Sequence, residues 1–258
     1  MTGFGAFPLA NKIIVVTGGG SGINLAFVRQ ALDLEARVVV ADLRLTAEAQ
    51  DLVDTSPNAV FKKCDVADWK DLQNLVGTAV QEFGDVPDVY VAGAGVFEPL
   101  WSSFQGDTET ERYAQVDINV NHPIKLTRIA IRELGNKKKK GVVLITGSVA
   151  GLRGEYAVAL YCATKHAITG FVRSMKNAQS MNGVKVVAVA PGKVHTPMWT
   201  EDDDKLKQFN YDAGRANTPD EVAAAMVDLI VEERYTGGTI LQMTKSGTRV
   251  VEDNWVQT

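Results

Sequence analysis

Short, unbroken runs of β-branched residues, each followed by a turn and then by a helix-length pattern, recur through most of this 258-residue chain. Lys12–Thr17 is the first of them, and its apolar residues are continuous rather than alternating, as in a strand buried on both faces of a parallel sheet. Parallel neighbours cannot be joined by a tight hairpin and need a crossover, usually a helix. The alternation therefore restricts the chain to one doubly wound parallel sheet with helices on both faces. The expected strands are 12–17, 37–41, 60–64, 88–92, 141–147, 185–190 and 238–241, seven in all. The expected helices run over 23–35, from about 45, 68–83, about 108–134, from 158 and 219–232. No internal repeat beyond this alternation and no linker breaks it into two domains.

Two strand ends carry glycine turns. Thr17 leads into Gly18-Gly19-Gly20-Ser21-Gly22 and then into a helix that starts at Ile23. A strand, a glycine turn and a helix start make an anion site, because unpaired N–H groups and the helix dipole point at the turn. The second strand ends at Asp42, 24 residues after Gly18, where an acid would hold a ribose 2′-hydroxyl and repel a 2′-phosphate. NAD is thus expected rather than NADP, with Arg44 the nearest opposing charge. The fourth strand ends in a second small-residue turn, Gly93-Ala94-Gly95, which permits close contact with a flat ligand.

Tyr161 and Lys165 stand four apart in a segment of good helix formers, so they share one helical face. A fixed ammonium within about 4–6 Å favours the ionised phenol and lowers its pKa, and a drop of roughly 2–3 units would place an acid/base group near working pH. Ser148 ends the strand before them, and its hydroxyl could donate to a carbonyl oxygen that the tyrosine protonates. A tyrosine and a lysine so spaced are more often a packed ring and a solvated amine; the two glycine turns are what raise this pair to a chemical site.

Composition bounds the alternatives. A hydrophobic content of 45 % with 22 % charged residues is that of an ordinary soluble globular protein. A net charge of −4 argues against nucleic acid as a partner, and the one basic run, Lys137–Lys140, reads as a solvated loop. Cys64 and Cys162 make no disulfide framework and suit a reducing compartment. The opening Met1–Pro8 lacks the basic start and long apolar run of a secretory leader, and no segment reaches the roughly 20 apolar residues that span a bilayer. A cytoplasmic protein is expected. His122, His166 and His195 show no ligand spacing, so no metal is expected.

With these segments in order, the chain resembles the short-chain dehydrogenase/reductase family over essentially its whole length, which implies a single Rossmann-type domain. The cofactor part would lie mainly within 11–120 and the catalytic and substrate part mainly within 141–218. Thr17–Ile23 corresponds to the family's cofactor loop, so the resemblance assigns Gly18, Gly20, Ser21, Gly22 and Ile23 to the dinucleotide. It assigns Asp42 to the adenosine ribose and Asp65 and Val66 to the adenine. Ala92, Gly93 and Ala94 stand for the family's Asn-Asn-Ala-Gly turn, and Pro191, Gly192, Val194 and Thr196 for the nicotinamide end. Asn119, Ser148, Tyr161 and Lys165 fall where the family keeps its catalytic tetrad, with thirteen positions from Ser148 to Tyr161.

The resemblance implies an NAD-dependent interconversion of a secondary alcohol and its ketone. Tyr161 would be the general acid/base, Lys165 would serve phenol and ribose, Ser148 the substrate oxygen, and Asn119 a water in the proton path. Among subgroups the chain is most similar to the one containing NAD-dependent 15-hydroxyprostaglandin dehydrogenase, through Asp42 and the tail Gly237–Leu241. Met198, Trp199, Phe209 and Tyr211 lie in the stretch the family uses as a lid, which suits a hydrophobic alcohol; surface-helix packing would use the same residues. The acidic run Glu201–Asp204 reads as a solvated helix start. A homodimer or homotetramer on the long helices is expected, with Ala157, Ala163, Ala167 and Gly170 allowing close approach. Two departures stand out: Asn24 replaces the loop's third glycine, and Ala92-Gly93 replaces the Asn-Asn pair. An amide at Asn24 would crowd the ribose or be turned aside, with little net change in affinity. Two rival classes remain open, a dinucleotide-binding regulator without turnover and a family member with non-redox chemistry.

Overall fold

The computed structural model describes residues 4–99, 101–106, 112–200 and 203–252. Seven parallel strands form as the apolar runs require: β1 (Ile13–Thr17), β2 (Arg37–Asp42), β3 (Ala59–Lys63), β4 (Val89–Ala92), β5 (Gly141–Thr146), β6 (Val184–Pro191) and β7 (Ile240–Thr244). An eighth strand, β8 (Gly247–Val250), folds back antiparallel on β7. Its four residues are all exposed, so no apolar run marks it in the sequence. The order across the sheet is β3-β2-β1-β4-β5-β6-β7-β8. It reverses direction between β1 and β4, and the carboxyl ends of these two strands open the crevice that such a switch point creates.

The crossovers are α1 (Gly22–Asp33), α2 (Ala47–Thr55), α3 (Trp69–Phe83), α4 (Ala114–Val116) continuing into α5 (His122–Asn136), α6 (Ala159–Ser174) with α7 (Ala178–Asn182), and α10 (Pro219–Val231). Two short helices, α8 (Pro197–Thr200) and α9 (Asp203–Gln208), fill the segment between β6 and α10. The helix expected over about 108–134 is not continuous. It starts at Ala114, and a π-helical turn, Asp117–Asn121, separates α4 from α5; residues 107–111 lie outside the described residues. No helix among the described residues is long and apolar enough to cross a membrane.

Successive strand residues feed two cores. Ile13, Val15, Val143 and Ile145 pack with α3, α5 and α6 on one face, while Ile14, Val16, Val142 and Leu144 pack with α1 and α10 on the other. The central strands β1, β4 and β6 are buried along their whole length and β5 up to its last residue, Thr146, which fixes their C-terminal ends as a rigid edge. Helix starts on that edge differ in how they are capped. Thr46, Asp68 and Thr218 cap α2, α3 and α10 with their own side chains, the last in a capping box with Glu221. No neighbouring side chain caps α1 or α6, and both point into the functional site. Of the basic run, Lys137, Lys138 and Lys140 are exposed, while Lys139 pairs with Asp85 at 2.9 Å and with Asp88 at 3.0 Å.

Candidate active site

Two cavities meet along the C-terminal edge. The first is lined by the glycine loop, Asp42, the Cys64–Val66 segment and the turn after β4. The second, about 280 Å³, is lined by Ser148, Tyr161, Lys165, the Pro191–Val194 stretch and aromatic side chains. Ile23, Gly93, Gly95, Thr146, Thr196 and Met198 belong to both, so the cavities form one crevice.

Of the residues assigned to the dinucleotide, Gly18, Ser21, Gly22, Ile23, Asp42, Asp65, Val66, Gly93, Ala94 and Thr196 line the first cavity; Pro191, Gly192, Val194, Tyr161 and Lys165 line the second. Gly20 and Ala92 line neither. Ala92 is 1 % exposed within β4. The Gly20 N–H donates to Asp42 Oδ2 at 2.9 Å, and a Cβ at Gly20 would lie 2.5 Å from the Arg44 carbonyl. Gly20 therefore acts by letting Asp42 come against the loop. The other oxygen of Asp42 accepts from Leu43 N–H at 2.7 Å, so the carboxylate is held in one orientation.

The tetrad residues do come together. Tyr161 and Lys165 are 9 % and 5 % exposed, and the Tyr161 hydroxyl is hydrogen-bonded to the Ser148 side chain. The expected lowering of the tyrosine pKa is not what the buried site gives. Burial pushes Tyr161 up to about 12, against the opposing hydrogen bond from Ser148. Burial also pushes Lys165 down to about 8, and its ammonium donates to the Thr146 carbonyl at 2.8 Å. The reason is desolvation, which penalises the charged form of both groups.

Asn119 sits in the π-helical turn. Its amide accepts from Val96 N–H and donates to the Val96 carbonyl, both at 2.9 Å, and it also donates to Thr164 Oγ1 at 3.2 Å. The side chain thus holds the turn after β4 against α6.

Three residues of this site carry no signal in the sequence reading. His122 is fully buried; burial pushes its pKa down to about 4, so the ring is neutral. Its Nδ1–H donates to the Ile118 carbonyl at 3.1 Å, and its Nε2 lies 2.9 Å from Thr17 Oγ1, which accepts from Gly93 N–H at 3.1 Å. That chain ties β1, the turn after β4 and the π-helical turn together. Phe97 packs edge-on against Tyr161 with centroids 4.7 Å apart, and against Trp199 and Phe209 at 5.0 and 5.4 Å. Met198, Trp199 and Phe209 line the second cavity as expected of a lid, whereas Tyr211 stacks behind Trp199 at 5.5 Å. Of the acidic run, Glu201 and Asp202 lie outside the described residues.

Glu98 is the third. It adopts φ +37°, a left-handed conformation that costs a non-glycine residue about 1 kcal/mol or more. In return its carboxylate accepts from Tyr161 N–H at 2.8 Å, Gln115 Nε2 at 3.1 Å and Phe104 N–H at 3.1 Å. Glu98 is therefore the missing cap of α6, supplied from the loop after β4. Glu98→Ala strands these donors and should lower stability by about 1–3 kcal/mol, with a loss of kcat/KM that Glu98→Gln partly restores. Thermal melts and steady-state kinetics on both variants check this; wild-type values for Glu98→Ala in both would refute the anchoring role.

Known proteins resemble this chain in sequence and in fold. The family model described as short chain dehydrogenase matches residues 12–207. L-fucose dehydrogenase of Bos taurus is 32 % identical over 245 residues, covering 91 % of this chain and 88 % of its own. Galactitol 2-dehydrogenase of Agrobacterium fabrum is 29 % identical over 249 residues, covering 88 % of this chain and 96 % of its own. Among solved structures, 3-ketoacyl-(acyl-carrier-protein) reductase from Brucella melitensis complexed with NADH superposes with a TM-score of 0.79 at 25 % identity, over 92 % of this chain and 98 % of that one. The chain belongs to the short-chain dehydrogenase family and is an oxidoreductase.

Proposed function

We propose that the protein interconverts a hydrophobic secondary alcohol and its ketone with NAD as the hydride carrier and Tyr161 as general acid/base. The observation that carries the reading is the hydrogen-bonded Ser148–Tyr161 pair in the wall of an aromatic cavity that is continuous with a glycine-lined crevice. In oxidation, the ionised Tyr161 oxygen takes the alcohol proton as hydride leaves the carbinol carbon; reduction reverses both transfers. Ser148 donates to the substrate oxygen, and Lys165 serves the phenol and the nicotinamide ribose. When bound, the nicotinamide supplies the hydride acceptor or donor.

The residues fit a dinucleotide. The first turn of α1 has no side-chain cap, and the loop before it admits no side chain at Gly18, where a Cβ would lie 2.7 Å from Ala94 Cα. The cavity of about 280 Å³ and its wall of Phe97, Trp199 and Phe209 suit a compact ring alcohol. The tail Gly237–Leu241, which suggested the 15-hydroxyprostaglandin dehydrogenase subgroup, leads into β7 at the sheet edge opposite the cavity, so the substrate reading rests on the cavity.

Tyr161→Phe should remove turnover by about 10²-fold or more while NAD binding stays within a few-fold, because only the proton-transfer group is lost. With the free tyrosine raised to about 12, kcat/KM for oxidation should climb with pH, whereas reduction, which needs the phenol protonated, should not gain. Stopped-flow assays with ring alcohols and ketones read both. More than about a tenth of the activity in Tyr161→Phe, or oxidation that slows from neutral to alkaline pH, would refute the assignment.

Cofactor choice should favour NAD over NADP by about tenfold or more, because the held carboxylate of Asp42 would face a 2′-phosphate. Asp42→Ala should narrow that ratio. Equal kcat/KM with both cofactors in the wild type would be inconsistent with it.

A homodimer or homotetramer is proposed on the outer face of α6, where Ala163, Ala167 and Gly170 are exposed and a Cβ at Gly170 would meet nothing within 4 Å. Multi-angle light scattering at micromolar concentration should give at least twice the 27.9 kDa of one chain; a monomer would exclude it.

A further inference from the structure

The first turn of α1 and the turn after β4 meet at one side chain. Asn24 is 7 % exposed, and its Oδ1 is buried with no hydrogen-bond partner. Against it lies Gly93: a Cβ there would stand 2.3 Å from Asn24 Oδ1 and 2.5 Å from both Cγ and Nδ2. On the other side is Gly18, whose Cβ would be 3.2 Å from Asn24 Nδ2. The amide is therefore wedged between the phosphate loop and the β4 turn, on the wall of the first cavity.

Backbone conformation explains neither residue. Gly93 is absent from the positive-φ glycines, so its backbone is open to any L-residue. Asn24 lies within α1, where helical φ/ψ suits asparagine. What excludes a side chain at 93 is the Asn24 amide itself, which fills the space that side chain would occupy. Two of the three positions at which the chain departs from the family's pattern, Asn24 and Gly93, are thus in contact.

We infer that Asn24 and Gly93 are a complementary pair that sets the spacing between the glycine loop and the β4 turn, with Asn24 a positioning residue for the dinucleotide. The amide carried by α1 stands in for a side chain of the turn. It does not project freely at the ribose but is turned against Gly93. The N–H of Gly93 is held by Thr17 Oγ1 at 3.1 Å, so displacing Gly93 would also disturb the end of β1, Ala94 and the cavity wall they form. The inference rests on the reading of this crevice as the dinucleotide site.

A double-mutant cycle tests it, with wild type, Asn24→Gly, Gly93→Ala and the double variant. Two readouts are taken, the melting temperature without ligand and the Kd for NADH by titration calorimetry. Gly93→Ala should lower the melting temperature and weaken NADH by about tenfold or more, because the methyl group cannot share space with the amide. Asn24→Gly should change Kd by less than about tenfold, and the double variant should match Asn24→Gly within about threefold in Kd. If Gly93→Ala does not fold, folding of the double variant is the rescue. A double variant as impaired as Gly93→Ala, or a Gly93→Ala protein with wild-type melting and Kd, would overturn the pairing. A wild type that binds neither NADH nor NADPH would instead refute the cofactor reading, and the melting temperatures alone would then decide the pair.

Discussion

Burying a phenol and an amine side by side is the constraint to which the rest of this structure answers. At 9 % and 5 % exposure, Tyr161 and Lys165 each lose hydration, and both are pushed towards their neutral forms. Such a pair is tolerated only where other polar groups are aimed at it. The Thr146 carbonyl receives the ammonium, Ser148 bonds the phenol, Glu98 accepts the Tyr161 N–H, and Asn119 reaches α6 through Thr164. Each of these comes from the C-terminal end of a strand or the loop that follows it, or from the π-helical turn. Only a rigid parallel edge brings such separated residues to one point.

Much of this was legible because it depends on local chain geometry. Unbroken apolar runs such as Ile13–Thr17 can only be doubly buried strands, and glycines where strand meets helix mark a backbone that must be approached closely. The four-residue spacing of Tyr161 and Lys165 survives as one helical face. The large apolar residues beyond Thr196 were legible as a class: Met198, Trp199 and Phe209 reach the cavity wall, and Tyr211 backs it.

What stayed hidden depends on partners distant in sequence. Glu98 looks like any loop carboxylate until the fold sets it 2.8 Å from an N–H 63 positions away. His122 has no periodic signature because its role lies in joining Thr17 to Ile118. The raised pKa of Tyr161 has no sequence signature because helical spacing reports proximity and says nothing of hydration; the lysine is near, but burial dominates both groups. Strand β8 has four exposed residues and is made by backbone pairing to β7, which leaves no hydrophobic pattern to read.

The turn after β4 is the element that joins the halves of the site. Gly93 and Gly95 line both cavities, and the turn is fastened on three sides: Gly93 to Thr17, Val96 to Asn119, and Glu98 to the start of α6. Phe97, between two of these fastenings, lies on the Tyr161 ring. A ligand that presses on the turn from the glycine-loop side therefore pushes on residues that also position the phenol and the aromatic wall. Packed interiors transmit such displacement because they have little free volume to absorb it. One short turn thereby forms part of the wall of both cavities.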